Sequence, residues 1–151
     1  MNGAMTLFTI GFTKTTAEQF FGRLRRAEVK TVLDTRLHRG GQLSGFAKFP
    51  DLPYFLRELA GCRYDAAPAL APTEDLIAAY RDRRLDWDAY AEGYRALLRE
   101  RRPERDLEPA QLEGACLLCS EHAPHRCHRR LAAEYLRDAF APSTSIEIVH
   151  L

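Results

Sequence analysis

LFTIGFTKTTAEQFFGRLRRAEVKTVLD (residues 7–34) holds the pattern that decides the fold. Leu7 to Ile10 is a short β-prone run stopped by Gly11. Thr15 with Glu18, or Thr16 with Gln19, fits a capping box, in which a side-chain oxygen takes an otherwise unpaired helix N–H. Ala17, Phe20, Phe21 and Leu24 then recur at helical spacing. VKTVLD (29–34) reads as a second buried strand. A strand, a helix and a strand in so short a stretch predict a βαβ unit, a parallel pair with a right-handed crossover.

The same alternation runs through the rest of the chain. Residues 37–50, LHRGGQLSGFAKFP, have no period and carry three glycines, the profile of a long and often functional loop. Leu52, Phe55, Leu56 and Leu59 mark a helix closed by Gly61, and Cys62 to Asp65 a short strand. After the loop AAPALAP, Thr73 caps a short helix through Tyr80. Trp87, Tyr90, Ala91, Tyr94, Leu97 and Leu98 form an amphipathic helix that ends before Pro103; this stripe reads as core. A polar connector, PERDLEPAQLEG, leads to an apolar strand from Ala115 to Cys119. A helix from about Arg126 to Phe140 and a strand from Ile146 to Val149, with His150 at its end, complete the chain. The whole predicts one domain over 1–151, a three-layer, Rossmann-like α/β fold with a mostly parallel sheet.

Composition excludes several classes. The 151 residues suit one domain, large enough to bury about 70% of its unfolded surface without disulfide staples. No apolar run approaches the roughly 20 residues of a membrane span, and MNGAMTLFTIGF lacks the basic start and cleavage site of a signal peptide. A cytoplasmic protein is expected, in which the four cysteines are free thiols, ligands or nucleophiles rather than disulfides. With 22 basic and 21 acidic side chains the net charge is +1, so there is no global basic face for nucleic acid. Basicity is local, in His125, Arg126, His128, Arg129 and Arg130.

In an open parallel sheet, ligands bind beyond the carboxyl ends of the strands. That rule gathers Gly11 and Thr13, Asp34 and Arg36, and Cys119, Glu121, Cys127, His128 and Arg129 onto one rim. Cys127 falls in the expected first turn of a helix among arginines, a setting that lowers a thiol's pKa or holds a phosphate; a buried, inert cysteine is the plain alternative. Asp34 and Arg36, two apart, share a strand face, so Arg36 can take a carboxylate or phosphate and Asp34 can orient it or accept a proton; a strand-end ion pair is the plain alternative. Glu121 reads as a general base or a helix cap, and His38 as a solvated loop residue.

Three other patterns stand in the sequence. Cys116 and Cys119 spell C-x-x-C, but residues three apart on a strand face opposite sides, so Cys116 reads as core. Cys119 to Arg126 is C-x6-R, one residue longer than the cysteine-phosphatase loop and without its glycines. Cys119, Cys127 and His128, with Glu121, are competent metal ligands. Helical neighbours, however, point about 100° apart, which sets Cys127 and His128 against a single ion. His122 and His125 lie nearer to zinc-like spacing, and polar surface is the plain reading for both.

TIGFT (9–13), VLDTR (32–36) and LLCSE-x5-CHRRL (117–131) together resemble the family called domain of unknown function 488. QLSGFAK (42–48), DLPYFL (51–56) and DWDAY (86–90) resemble one subgroup of it. The resemblance implies a Rossmann-like fold and motif positions at Gly11, Asp34, Arg36, Cys119, Glu121, Cys127, His128 and Arg129, but no activity and no cofactor. Many relatives read TIGHS in the first loop; here Phe12 and Thr13 stand instead, leaving a hydroxyl but no histidine. The expectation is an enzyme whose rim takes an anionic, phosphate-bearing or nucleotide-like molecule. Arg36, Arg129, Gly11 and Thr13 bind the anion, and Cys127, Cys119, Asp34, Glu121 and His128 carry the chemistry. A non-catalytic ligand- or nucleic-acid-binding module using the local basic patch, and a metal-binding protein using Cys119, Glu121, Cys127 and His128, are the alternatives.

Overall fold

A computed structural model describes residues 4–40, 44–121 and 124–151. Five strands form one all-parallel sheet in the order β3-β2-β4-β1-β5. They are β1 (Met5–Gly11), β2 (Thr31–Asp34), β3 (Arg63–Ala66), β4 (Ala115–Cys119) and β5 (Ile146–His150). The helices are α1 (Ala17–Arg26), α2 (Asp51–Phe55, continued by a π-helical turn Leu56–Ala60), α3 (Glu74–Arg81), α4 (Trp87–Arg101), α5 (Pro109–Leu112) and α6 (His128–Phe140). Of the QLSGFAK segment, residues 42 and 43 lie outside the described residues, as does His122.

The central strand explains the layering. Every residue of β4 is buried, as expected of a parallel strand covered on both faces. Its side chains alternate. Cys116 and Leu118 pack with Ile10, Phe20, Leu24, Leu52 and Leu56 under α1 and α2. Ala115 and Leu117 pack with Tyr94, Leu98, Leu131 and Leu136 under α4 and α6. Each face buries a separate apolar cluster, which is the three-layer α/β arrangement.

The helix ends follow their local chemistry. At α1 the Thr16–Gln19 pair makes the capping box: the Gln19 N–H donates to Thr16 Oγ1 at 3.1 Å and the Thr16 N–H to Gln19 Oε1 at 3.0 Å. Thr15 instead donates its hydroxyl to the Thr13 carbonyl. The π-helical turn after α2 stops at Gly61, whose φ of 66° is a left-handed conformation that glycine adopts freely. Asp86 caps α4 by accepting from the Ala89 N–H at 2.8 Å.

The structure departs from the sequence reading at three places. First, β1 and β2 are parallel but not neighbours, because β4 lies between them and pairs with both; the fully apolar β4 takes the most buried slot. Second, the polar connector is partly helical. Pro103 and Pro109 each open a helical turn, a position where a missing N–H costs nothing, and Leu112 is buried beneath. Third, α6 starts at His128, and Cys127 is its N-cap in extended conformation (φ −140°, ψ 140°). No helix among the described residues is long and apolar enough to cross a membrane.

Candidate functional site

Strand register builds the site. Gly11 at the end of β1 stands opposite Cys119 at the end of β4. Asp34 at the end of β2 stands opposite Leu118. The three loops that leave these strands therefore start level with one another. Thr13 ties two of them together: its N–H and its hydroxyl both donate to the Ser120 carbonyl. Thr35 ties the third, since its N–H and hydroxyl both donate to the Leu118 carbonyl, at 3.0 and 2.7 Å.

Asp34 and Arg36 form a buried pair. Arg36 donates from Nε to Asp34 Oδ1 and from Nη2 to Oδ2, each at 2.9 Å. The Tyr64 hydroxyl donates to Oδ2 at 2.6 Å. Burial, and then the Asp34 carboxylate, push the Tyr64 phenol up to about 12, so it stays a donor. The guanidinium also lies over the Phe12 ring, 5.3 Å from its centroid. Its side chain is only 4% exposed, and Nη1 finds no hydrogen-bond partner among the described residues.

Cys119 and Cys127 are both buried, and the structure joins their sulfurs as a disulfide across a Cα–Cα separation of 7.6 Å, where free thiols were expected, because the end of β4 and the extended residue before α6 bring the two side chains together. A ring nitrogen of half-buried His128 joins them, the three ligand atoms lying within 4.8 Å of one another. The helical objection to this grouping fails because Cys127 is extended and precedes the helix. The tautomer of His128 follows from its partners. Nε2 lies 2.9 Å from the Thr35 carbonyl and 3.0 Å from the Thr35 hydroxyl. The hydroxyl's proton goes to Leu118, so both Thr35 oxygens accept and Nε2 carries the hydrogen. Nδ1 then holds the lone pair. Burial drives the His128 pKa down to about 4, and the imidazole is neutral at pH 7.

Arg129 and Gly11 sit beneath the rim. Arg129 is fully buried and donates to Thr9 Oγ1, the Glu121 carbonyl and Cys119 Sγ, the last at 3.5 Å. Burial lowers its pKa to about 10, so it keeps its charge at neutral pH. It is enclosed below the rim, its guanidinium beside a sulfur. Gly11 has no room for a side chain, because a Cβ there would collide with the Glu121 carbonyl and the Arg129 guanidinium. The basic patch is divided: Arg129 is buried, Arg130 pairs with Glu134 at 3.1 Å, and His125 and Arg126 are exposed.

A cleft of about 440 Å³ connects these groups. Arg36, Cys119, Glu121, Cys127 and His128 line it together with Tyr80, Trp87 and Tyr90. Trp87 stacks on Tyr90, centroids 5.5 Å apart, and Tyr80 lies 4.9 Å from Tyr90. The Glu121 side chain is exposed, and His38, also exposed, meets Glu74 at 2.8 Å near the mouth. A larger cavity of about 810 Å³ opens along the edge strand β3. Its lining has no cysteine or histidine, so the cysteine and histidine groups belong to the smaller cleft.

Sequence reasoning missed Tyr64, Phe12, Thr35 and the aromatic wall. Tyr64 read only as part of a short strand and Phe12 only as a departure from the TIGHS loop, neither as a neighbour of the Asp34–Arg36 pair. Trp87 and Tyr90 read as core, and Tyr90 is indeed buried; what the helical period could not reveal is that α4 begins at the mouth of the cleft. The DWDAY string (86–90) was the available signal.

The family described as Domain of unknown function DUF488 matches residues 16–136. The chain belongs to the DUF488 family. Comparison with curated proteins and with solved structures finds no match. In this DUF488 chain the match spans α1 through most of α6, and so takes in β2, β4 and the Asp34, Arg36, Cys119, Cys127 and His128 positions.

Proposed function

We propose that this DUF488 protein is an enzyme acting on an anionic, phosphate-bearing or nucleotide-like small molecule bound in the rim cleft. The observation that carries the reading is Arg36. A buried guanidinium is costly unless its hydrogens are satisfied, and here Asp34 takes only one edge of the fork. Nη1 is buried on a residue that lines the cleft, with no partner among the described residues. A phosphate or carboxylate oxygen completes it. Asp34 and Tyr64 act as positioning residues that hold the fork in one orientation.

The cleft volume falls in the range of small-molecule sites, and the Trp87–Tyr90 wall offers a flat surface for a base or another ring. The Cys119–Cys127 pair, with His128 beside it, supplies the reacting end. Arg129 places its positive charge beside Cys119 Sγ. Glu121, at the mouth, is the exposed carboxylate available for proton transfer.

The test is a stability screen of the reduced protein against inorganic phosphate and nucleoside mono- and diphosphates, followed by product analysis on each ligand that binds. A ligand at about 100 times its Kd adds about 2.7 kcal/mol of stability. The expected result is stabilisation by at least one phosphate-bearing compound, abolished in Arg36→Gln, and turnover abolished in Cys119→Ser. Absence of any stabilisation across the panel contradicts the reading.

A further inference from the structure

We propose that Cys119, Cys127 and His128 bind one divalent cation of the zinc class, with its remaining coordination position open to the cleft. The proposal deepens the reading above by naming what the cysteine pair does, and it depends on that reading only for what meets the open position.

Geometry comes first. The Cys119 and Cys127 Cα atoms are 7.6 Å apart, wider than the roughly 4.4–6.8 Å at which disulfide partners ordinarily sit. Two thiolates on one tetrahedral ion fill such a span, each at about 2.3 Å from the metal. A ring nitrogen of His128 already lies within 4.8 Å of both sulfurs, and it needs to approach to about 2.0–2.1 Å of the ion.

The surroundings match a metal-binding histidine. Such a histidine hands its other N–H to a carbonyl or carboxylate, which fixes the tautomer. His128 Nε2 gives its hydrogen to Thr35 oxygens and leaves Nδ1 with the lone pair. The donor set, two sulfurs and one imidazole, suits zinc rather than magnesium or calcium, which prefer oxygen.

Charge also balances. A thiol reductant first opens the Cys119–Cys127 bond, supplying two electrons and two protons and leaving as its own disulfide. Each thiol then exchanges its proton for a bond to the ion, His128 enters neutral, and two protons leave. Two thiolates then cancel the two charges of the ion. No fourth cysteine, histidine or carboxylate joins the group among the described residues. Three protein ligands with one open position is the pattern of a catalytic rather than a structural zinc site, and all three ligands line the cleft.

The experiment is elemental analysis of protein purified with a non-chelating reductant, with X-ray absorption at the zinc edge. About one zinc per chain is expected, coordinated by two sulfurs and one imidazole nitrogen. Cys119→Ser and Cys127→Ser should each weaken zinc at least tenfold, whereas Cys62→Ala should keep it. If the serine variants fail to fold, the absorption spectrum of the wild type decides alone. Wild-type protein that takes up no zinc or cobalt while its thiols titrate as free overturns the proposal, as does a bound metal without sulfur ligands. Arg36→Gln should keep zinc while losing phosphate and nucleotide binding, which separates the two readings. Zinc that is retained while phosphate and nucleotides fail to bind the wild type counts against the cleft reading alone. Nucleotide binding in a protein that takes no metal counts against the metal alone.

Discussion

Asp34 holds Arg36 by two parallel hydrogen bonds of 2.9 Å and leaves the guanidinium's Nη1 without a partner among the described residues. The pair is buried, so breaking it is expensive. Arg36→Ala strands the Asp34 carboxylate and should cost about 3–5 kcal/mol of stability, read as a lower urea midpoint. Asp34→Asn keeps the fold better but loosens the fork. Losing one charged hydrogen bond of about 1.5–3 kcal/mol should weaken anion binding by roughly 10–100-fold, measured by calorimetric titration. Arg36→Lys should not rescue binding, because a point charge does not replace a planar fork.

Gly11 packs against the Glu121 backbone at the rim. A methyl group there meets the Glu121 carbonyl and Arg129. Because backbone cannot swing aside as a side chain can, Gly11→Ala should cost about 3 kcal/mol or more. The check is equilibrium denaturation, with the midpoint falling and the slope unchanged.

Trp87 separates two kinds of ligand. If its ring, stacked on Tyr90, receives a base, then Trp87→Ala should weaken nucleotide binding by about 1–3 kcal/mol and leave inorganic phosphate unaffected. Equal losses for both ligands would show that Trp87 supports the cleft without touching a ring.

Cys62 reports on alkaline stability. It is buried, and burial pushes its thiol from 9.0 up to about 11. The folded state therefore holds the proton more tightly than the unfolded state does. Linkage makes this contribution complete below about pH 9 and lost as the pH rises to about 11. Cys62→Val should flatten that part of the stability–pH curve. Cys62 should also react slowly with iodoacetamide at pH 7 compared with the same thiol in urea.

Much of the architecture was legible because it rests on local chemistry. The strand ACLLC (115–119), the Thr16–Gln19 cap and the Trp87–Leu98 stripe each declare themselves within a few residues, and the structure has them where the pattern puts them. The order of the strands was not legible in this way. Nothing in residues 7–34 shows that β4 will enter between β1 and β2, because that depends on which strand is most apolar on both faces. The candidate site was legible as a set of positions through the strand-end rule, but not as roles. Arg129 and Arg36 look alike in sequence. The structure encloses Arg129 beneath the rim against Cys119 and sets Arg36 on the cleft wall. Cys127 looked like a helical neighbour of His128 until its extended conformation brought both to one point.

The most direct measurement is a crystal structure of the reduced protein with a nucleoside monophosphate. The account predicts a phosphate oxygen at about 2.7–2.9 Å from Arg36 Nη1 and the base against Trp87. A ligand bound along the β3 edge cavity, or an Arg36 Nη1 already satisfied by the protein itself, would contradict it.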